Sequence, residues 1–385
     1  MIQIADKSKC CGCTACASIC SHQAITMKPD ALGFLYPVVD ENKCTDCGLC
    51  EKVCAFHADY DKSSNLLEPD VYAARHKKME EIERSRSGAM FAAVSDWILA
   101  QGGVVYGAGY TDHFRVVHKR AISQIERDEF RGSKYVQSDL NNVFIKVAND
   151  LKKGVLVLFT GTPCQTSGLR SFLNLKRIKT YSLYLVDIVC HGVPSPYYWR
   201  DYLNYIEKNQ GKNVVSVNFR DKSLLGWAAH KESFTLADGV TYTFTYTFYQ
   251  HIMFRRSCGE CHFTNLQRPS DLTIADFWGW EKVDASFNAD DKGVSLVLVN
   301  TAKGQELFEV VKHEIDYIKT DTTKCLQPNL QYPCEIHPKR DSFEKDYLEH
   351  GFVYVAKKYG DLGWRYKMRR FKQKCRTAFR LLLGR

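Results

Sequence analysis

Continuous apolar runs alternate with helical periodicities along the middle of the chain. The segments GVLVLF (154–159) and LYLVDIV (183–189) are apolar at almost every position, which is typical of strands buried on both faces of a parallel sheet. Each run is followed by a loop containing Gly or Pro and then by a helical pattern, QTSGLRSFL and YYWRDYLNYIEKN. This alternation predicts an α/β core.

Shorter patterns predict further elements around this core. VVYGAGY is a short apolar strand, and GAMFAAVSDWILA before it is a helix that Ser87 caps and that ends at Gly102–Gly103. The pair Asp238–Gly239 lies between two alternating segments in FTLADGVTYTFTY and predicts a β-hairpin. Near the amino terminus, GFLYPVVD predicts a short extended stretch.

Cysteine is the residue type that changes this picture. The chain of 385 residues contains 16 cysteines, and nine of them fall within its first 54 residues. The amino terminus MIQIADKSKC has no apolar signal core, and no apolar run reaches the roughly eighteen residues that would span a membrane. We therefore predict a cytoplasmic protein, in which thiols stay reduced and clustered cysteines bind metal or clusters rather than form disulfides.

Two cysteine motifs near the amino terminus share the spacing C-x2-C-x2-C-x3-C. KCCGCTACASIC carries the first motif and CTDCGLCEKVC carries the second, 34 residues later. This duplication is typical of bacterial ferredoxins with two 4Fe–4S clusters, in which the fourth cysteine of each run binds the other cluster. The first predicted set is Cys10, Cys13, Cys16 and Cys54, and the second is Cys44, Cys47, Cys50 and Cys20.

A zinc module is the alternative for these cysteines. Zinc sites usually pair two C-x2-C knuckles across a longer gap, so three cysteines in a row suit zinc poorly. The fourth cysteines precede Ser21 and Ala55, where such ferredoxins usually have proline, but neither change removes a ligand. Cys11 is surplus to both sets and is interpreted as a bystander thiol.

Further cysteines follow the two buried strands. Cys164 in GTPCQ and Cys190 in CHGVPSP lie at the predicted carboxyl ends of these strands, the edge at which open α/β sheets bind ligands. RRSCGECHF adds Cys258 and Cys261 as a C-x2-C pair, which brings the number of thiolates to the four that a third 4Fe–4S cluster needs. Buried core cysteines, and a zinc-binding or redox-active pair, remain open as alternatives. No dinucleotide-binding glycine motif, Walker loop or nucleophile elbow follows a strand.

Basic residues are concentrated at the carboxyl end. Residues 357–385 contain eleven Lys or Arg and one acidic residue, so they sum to +10, whereas the whole chain has a net charge of +9. A general nucleic-acid-binding surface is therefore not indicated. Apolar positions recur at helical spacing through residues 364–383, which predicts a basic amphipathic helix that either lies on an anionic membrane surface or packs on the protein body.

Several segments together resemble the coenzyme F420 hydrogenase/dehydrogenase β-subunit family. They follow the order of that family from about residue 70 to residue 305 and are SRSGAMFAAV, RGSKYVQSDL, VLFTGTPCQTSGL, DIVCHGVPSP, FRDK, RRSCGECHF, DLTIADFWGW and GVSLVLVNT. A two-cluster ferredoxin domain is a common fusion partner in that family. CHFTN departs from the family, because it lacks the proline and lysine that often follow the C-x2-C pair.

The resemblance implies an iron–sulfur flavoprotein with FAD and a third 4Fe–4S cluster at Cys164, Cys190, Cys258 and Cys261. It also implies that FAD lies against the SRSG, GSKY and GTPCQ loops. The residues carried over to the flavin are Ser87, Gly88, Ser133, Lys134, Tyr135, Gly161, Thr162 and Gln165. Gly88 would open a helix whose amides accept a pyrophosphate, and Lys134 and His191 are the candidate catalytic residues.

These observations predict an α+β ferredoxin-like two-cluster module followed by an α/β flavin-binding domain with a mixed sheet. The predicted limits are 1–58 for the two-4Fe–4S ferredoxin domain, 59–71 for a polar linker, 72–340 for the flavin and iron–sulfur domain, and 341–385 for a basic amphipathic tail.

The predicted function is an oxidoreductase that relays single electrons through the clusters to or from FAD and reduces an organic substrate or the deazaflavin coenzyme. Ferredoxin or the deazaflavin coenzyme would be the electron partner, and the cytoplasmic protein would have peripheral membrane contact through residues 364–383. Two alternatives stay open, namely an electron-transfer subunit that serves a partner enzyme without its own substrate and a cluster-stabilised interaction protein. No nucleic-acid partner is predicted.

Overall fold

The computed structural model describes residues 1–57, 61–223, 225–229, 231–243, 246–364, 366–368 and 371. Its strands are β1 Ile25–Pro29, β2 Leu35–Val39, β3 Asn65–His76, β4 Val104–Thr111, β5 Arg115–Ala121, β6 Val157–Gly161, β7 Leu183–Ile188, β8 Val214–Asp221, β9 Lys231–Leu236, β10 Thr241–Thr243, β11 Leu272–Asp276, β12 Ser295–Thr301 and β13 Ile315–Thr320. Its α-helices are α1 Ala15–Ile19, α2 Leu49–Lys52, α3 Met79–Glu83, α4 Met90–Ala100, α5 Gln124–Asp128, α6 Val143–Lys152, α7 Pro163–Leu175, α8 Pro196–Gln210, α9 Tyr246–Tyr249, α10 Ala302–Val311, α11 Thr322–Cys325 and α12 Arg340–Lys358.

An eight-stranded mixed sheet with the order β13-β3-β12-β11-β7-β6-β4-β5 forms the centre of the protein. Its middle strands β11, β7, β6 and β4 are parallel, and the outer strands pair antiparallel. Apolar side chains of α4 and α10 cover one face, and those of α6 and α7 cover the other. The predicted α/β core with a mixed sheet is confirmed, and the carboxyl ends of its parallel strands meet at one edge.

The amino-terminal module shares a hydrophobic core with the sheet domain. Its antiparallel pair β1–β2 confirms the predicted extended stretch, and α1 and α2 carry the cysteine motifs. Ile19 and Val53 of the module pack in the same buried cluster as Phe144 of α6 and Leu169 of α7. The cysteine motifs are thereby held against the first turns of α7, close to the carboxyl edge of β6.

The strands β8, β9 and β10 form a separate three-stranded antiparallel sheet. Asp238–Gly239 connects β9 to β10, and Gly239 has a φ of 84°, a conformation that glycine adopts without strain. The predicted hairpin is confirmed.

Ser87 does not cap the helix that follows it, so that prediction is wrong. The helix α4 begins at Met90, after Ala89 with a φ of 66°, and no side chain caps it. The Ser87 hydroxyl instead donates to the carbonyl oxygen of Val294, which ties the loop to the start of β12.

Two predicted domain limits also need correction. Strand β3 begins at Asn65 and pairs with β12 and β13, so residues 65–71 are sheet rather than linker. The first half of β3 has no apolar pattern in the sequence because side chains such as Leu67 are exposed to solvent. Helix α12 buries Phe343 and Phe352 against α8, so residues 341–358 belong to the protein body and not to a tail.

The predicted amphipathic segment 364–383 lies largely outside the described residues, and its membrane contact stays a prediction. Among the residues that are described, no helix is long and apolar enough to cross a membrane.

Candidate functional site

The first predicted ligand set surrounds α1. Cys10 and Cys13 precede this helix, Cys16 lies in its first turn, and Cys54 follows α2. Burial raises the pKa of Cys16 and of Cys54, and the neighbouring thiols of Cys10 and Cys13 raise both values further. The structure therefore brings these four side chains together, with Cys54 contributed by the second motif.

The second predicted set lies around a cavity at the surface of the module. The cysteines that line this cavity are Cys20, Cys44, Cys47 and Cys50. The amide of Ala24 donates to Cys20 Sγ at 3.3 Å, and the amide of Ile2 donates to Cys50 Sγ at 3.3 Å. Cys47 is exposed, so this set faces solvent.

The third predicted set lies at the carboxyl edge of β6 and β7, around a single cavity lined by Cys164, Cys190, Cys258 and Cys261. The amide of Val193 donates to Cys258 Sγ at 3.4 Å, and the Thr162 hydroxyl lies 3.2 Å from Cys164 Sγ. Burial raises the pKa of Cys190 and of Cys261, and the Cys164 thiol raises both further. Four thiols from three separate segments of the chain thus face one space.

Two cysteines that the sequence analysis left unassigned line the same cavity. The Cys334 thiol donates to the carbonyl oxygen of Cys258 at 3.5 Å. The Cys11 thiol donates to the sulfurs of Cys13 and Cys164 and lowers the pKa of both. The bystander interpretation of Cys11 therefore needs correction, because this side chain is the contact between the first and third sets.

A mononuclear metal site is the alternative for these cysteines. In the part of the chain that the structure describes, no three His, Cys, Asp or Glu side chains converge on a position for one metal ion. A structural zinc site needs four such side chains around one ion. In a cubane each thiolate binds a different iron, so its ligands lie further apart.

A larger cavity of about 550 Å³ opens beside the third set. Seven of the eight residues carried over to the flavin line it, namely Ser87, Ser133, Lys134, Tyr135, Gly161, Thr162 and Gln165. Cys190 and His191 line both this cavity and the cavity of the third set. The two spaces therefore meet at the carboxyl end of β7.

Gly88 is the exception among the residues carried over. A Cβ atom at this position would lie 2.1 Å from the carbonyl oxygen of Ala74 and 2.7 Å from the amide nitrogen of Ser295. Glycine is therefore required for the close approach of this loop to β3 and β12, and Gly88 does not open α4.

Thr162 and Gln165 form a capping box at the start of α7. The Thr162 amide donates to Gln165 Oε1 at 2.9 Å, and Gln165 Nε2 donates to Ser138 Oγ at 3.0 Å. These side chains hold the first turn of α7 at the wall of the large cavity, one residue away from Cys164.

Lys134 makes three hydrogen bonds within its own loop. Its ammonium donates to the carbonyl oxygens of Glu129 at 2.6 Å, Arg131 at 3.1 Å and Gly132 at 3.2 Å. Burial lowers the pKa of this ammonium to about 7. The side chain lines the cavity, and its nitrogen holds the 129–134 loop in place.

Replacing Lys134 with methionine is expected to lower the free energy of unfolding by about 2 kcal/mol, because three loop carbonyls lose their donor. Urea unfolding followed by circular dichroism measures this change. Lys146→Met on the exposed face of α6 is the matched control and should change stability by less than about 0.5 kcal/mol. Equal stabilities of the two variants would contradict a structural role for Lys134.

His191, the other catalytic candidate, lies at the junction of the two cavities. Its Nδ1 lies 3.0 Å from Asn329 Oδ1, and its Nε2 lies 2.6 Å from His251 Nε2. These contacts fix the imidazole plane beside Cys190, at the mouth of the large cavity.

His118 is buried in the wall of the large cavity. Its Nε2 donates to the carbonyl oxygen of Thr160 at 3.0 Å, and its Nδ1 lies 2.7 Å from Ser138 Oγ. Burial lowers the pKa of this imidazole from 6.5 to about 4, so it stays neutral near pH 7. It is a residue that the sequence analysis did not select, because only the pairing of β5 with β4 and of β4 with β6 brings it to the cavity.

The depressed pKa of His118 predicts a loss of stability in acid. The unfolded chain takes up the proton as the pH falls below about 6.5, whereas the folded protein does so only near pH 4, so the stabilisation is complete above 6.5 and is lost as the pH approaches 4. His118 should lower the free energy of unfolding by about 1.4 kcal/mol as the pH falls from about 7.5 to about 5.5. Urea unfolding at both pH values should show a pH-dependent difference in stability that is about 1.4 kcal/mol smaller in His118→Gln than in the unaltered protein, whereas an exposed-histidine control, His22→Gln, should keep the full difference. An undiminished difference in His118→Gln would contradict the assignment.

Two arginines give the cavity a positive wall. The Arg86 guanidinium donates to the carbonyl oxygen of Arg220, and burial lowers the pKa of Arg86 to about 10. Arg220 lies 2.7 Å from a carboxylate oxygen of Asp276, yet its buried Nε has no hydrogen-bond acceptor among the described residues. Guanidinium groups bind phosphate oxygens well, so this wall suits an anionic ligand group.

Comparison with protein families assigns both parts of the chain. Residues 155–324 match the model of the carboxyl-terminal part of the coenzyme F420 hydrogenase/dehydrogenase β-subunit, and residues 9–58 match the model of a 4Fe–4S dicluster domain. Residues 155–324 are therefore a carboxyl-terminal β-subunit segment of the F420 hydrogenase/dehydrogenase type. The two-cluster ferredoxin prediction is confirmed, and the chain is an iron–sulfur electron-transfer protein of the oxidoreductase class.

A solved structure similar to this chain is a chain of the F420-reducing [NiFe] hydrogenase complex from Methanosarcina barkeri. The two chains are 17% identical, with a TM-score of 0.47, and the match covers 77% of this chain and 94% of the other. No curated protein shows significant sequence similarity to the chain.

Proposed function

We propose that the protein is an iron–sulfur flavoprotein in which three 4Fe–4S clusters carry single electrons to or from FAD in the large cavity. When bound, FAD would supply the exchange between single electrons and the two-electron chemistry of an organic substrate or of the deazaflavin coenzyme. The observation that carries the proposal is the shared wall of the two cavities, because Cys190 and His191 line both.

The residues of the large cavity fit FAD. Its volume of about 550 Å³ lies within the range of about 300–1,000 Å³ found for cofactor sites. Arg220 offers a buried Nε that has no acceptor among the described residues, and Arg86 lies beside it, so the two can bind a pyrophosphate. Ala108 and Ile274 supply apolar surface for a planar ring.

The three proposed cluster sites differ in their depth within the protein. The second set faces solvent, the first set is buried against α7, and Cys11 connects the first set to the third. This order supports a route from an electron partner at the surface to the flavin cavity, with His191 fixed where the route ends. Ferredoxin and the deazaflavin coenzyme are the proposed partners.

Anaerobic mixing experiments test the proposal. The protein is mixed with reduced ferredoxin or with reduced deazaflavin coenzyme, and the visible absorbance of the oxidised flavin is followed. Loss of this absorbance with either donor supports the proposal. Reduction of the clusters alone, with turnover only after a partner enzyme is added, would favour the alternative of an electron-transfer subunit without its own substrate.

A further inference from the structure

Arg255 extends from the sheet domain into the first cluster loop. Its side chain is 1% exposed, and it directly precedes the turn Arg256–Glu260 that carries Cys258. Nε donates to the carbonyl oxygen of Cys10 at 2.8 Å, Nη2 donates to that of Leu35 at 3.0 Å, and Nη1 donates to Gln137 Oε1 at 2.9 Å. One guanidinium therefore binds both domains.

Within the described part of the chain, the charge of this guanidinium has no carboxylate partner. The other fully buried arginines have one, since Arg127 lies 2.6 Å from Asp96 and Arg268 lies 3.2 Å from Asp187. Among the described residues, no carboxylate oxygen lies within ion-pair distance of Arg255, whose neighbours are carbonyls, an amide, aromatic rings and thiols. A buried cation without a counter-charge is strongly disfavoured, so an anion is expected at this position.

The thiols around Arg255 belong to two different cluster sites. Its Nη2 donates to Cys10 Sγ at 3.5 Å, and the Cys10 and Cys258 thiols both interact electrostatically with the guanidinium. Arg255 also lines the cavity of the third set. In the loop of the first set, a Cβ atom on Gly12 would lie 2.9 Å from Arg255 Nη1. Gly12 also has a φ of 72°, so both the close approach of Arg255 and the backbone conformation favour glycine here.

We infer that Arg255 is the shared counter-charge of the first and third clusters and raises their reduction potentials above that of the second cluster. This inference rests on the proposed cluster assignment. A cluster becomes more negative when it accepts an electron, so a fixed positive charge beside it favours the reduced form, and charge near a cluster is one of the factors that set its potential. Electrons that enter at the exposed second set would then move inward.

Arg255→Gln tests this role, with the iron content and the EPR-monitored redox titration of each cluster as readouts. Signals are assigned with Cys54→Ser for the first cluster, Cys50→Ser for the second and Cys258→Ser for the third. We expect Arg255→Gln to retain its iron and the equilibrium constant for reduction of the first and third clusters to fall at least tenfold, a shift of about 59 mV to lower potential for a one-electron couple. The second cluster should not shift.

Two further variants make the result decisive. Arg255→Lys keeps the charge and should change the same constants by less than tenfold, and it supplies the test if Arg255→Gln fails to fold. Arg127→Gln removes a buried guanidinium that pairs with Asp96 and should leave all three potentials unchanged. The inference would be overturned by unchanged potentials in Arg255→Gln or by an equal shift of all three clusters. A tenfold change of the equilibrium constants for reduction in Arg255→Lys would also overturn it. Fewer than about twelve irons in the unaltered protein would instead count against the proposed three-cluster function.

Discussion

Replacing Cys190 with alanine is expected to lower the iron content from about twelve to about eight atoms per chain, the number that two cubanes hold. The same change should abolish the reduction of flavin by the amino-terminal clusters. The reason is geometric, because Cys190 is one of the four predicted ligands of the third cluster and lines both the third cluster cavity and the large cavity. Iron analysis and anaerobic titration with dithionite measure the two effects.

The same cavity contains matched controls. Cys11 and Cys334 line it as well, but neither belongs to the predicted ligand set, so alanine at either position should retain about twelve irons per chain. A fall to about eight irons in Cys334→Ala, with iron retained in Cys190→Ala, would show that Cys334 is a ligand in place of Cys190 and that the predicted set is wrong.

Replacing Ala108 with phenylalanine is expected to reduce the flavin content at least about tenfold while the iron content stays unchanged. Ala108 lies on β4 and lines the large cavity, so a phenyl ring would occupy part of the volume of about 550 Å³. Steric conflict of this kind typically costs about 1–3 kcal/mol, which is enough for a loss of about tenfold or more in affinity. Absorbance spectra and flavin extraction from the purified variant measure the result.

Ala100→Phe is the control for this substitution, because Ala100 is exposed at the end of α4 and touches neither cavity. It should bind flavin as the unaltered protein does. Full flavin content in Ala108→Phe would show that the cofactor lies elsewhere.

Local sequence signals predicted the elements with strong patterns. The buried runs before Cys164 and Cys190 fold as β6 and β7, and Asp238–Gly239 forms the hairpin, because apolar runs and turn residues act within a few positions. The loop at Ser87 was mispredicted because its hydroxyl bonds to Val294, a contact between residues far apart in the chain. The early part of β3 was missed because its exposed side chains lack an apolar pattern.

In the candidate site, too, some residues follow from local sequence patterns and others depend on how the chain packs. Cysteine spacing predicted the two amino-terminal sets, since ligand geometry restricts the separation of neighbouring thiolates along the chain, whereas the third set depended on the family resemblance. The positions of Cys11, Cys334 and His118 depend on how distant segments pack. The spacing of residues along the chain does not predict that packing. Arg255 directly precedes RSCGEC, so the sequence already places a cation next to predicted ligands. Its hydrogen bond to the carbonyl oxygen of Cys10 joins residues that are far apart in the chain and depends on how the two domains pack.

Iron and flavin counts on one anaerobically purified sample of the full chain test whether the three cluster sites and the flavin cavity are occupied together. We expect about twelve irons and one FAD per chain. About eight irons with no flavin would leave the amino-terminal ferredoxin domain intact and would contradict the path from its clusters through the third set to the large cavity.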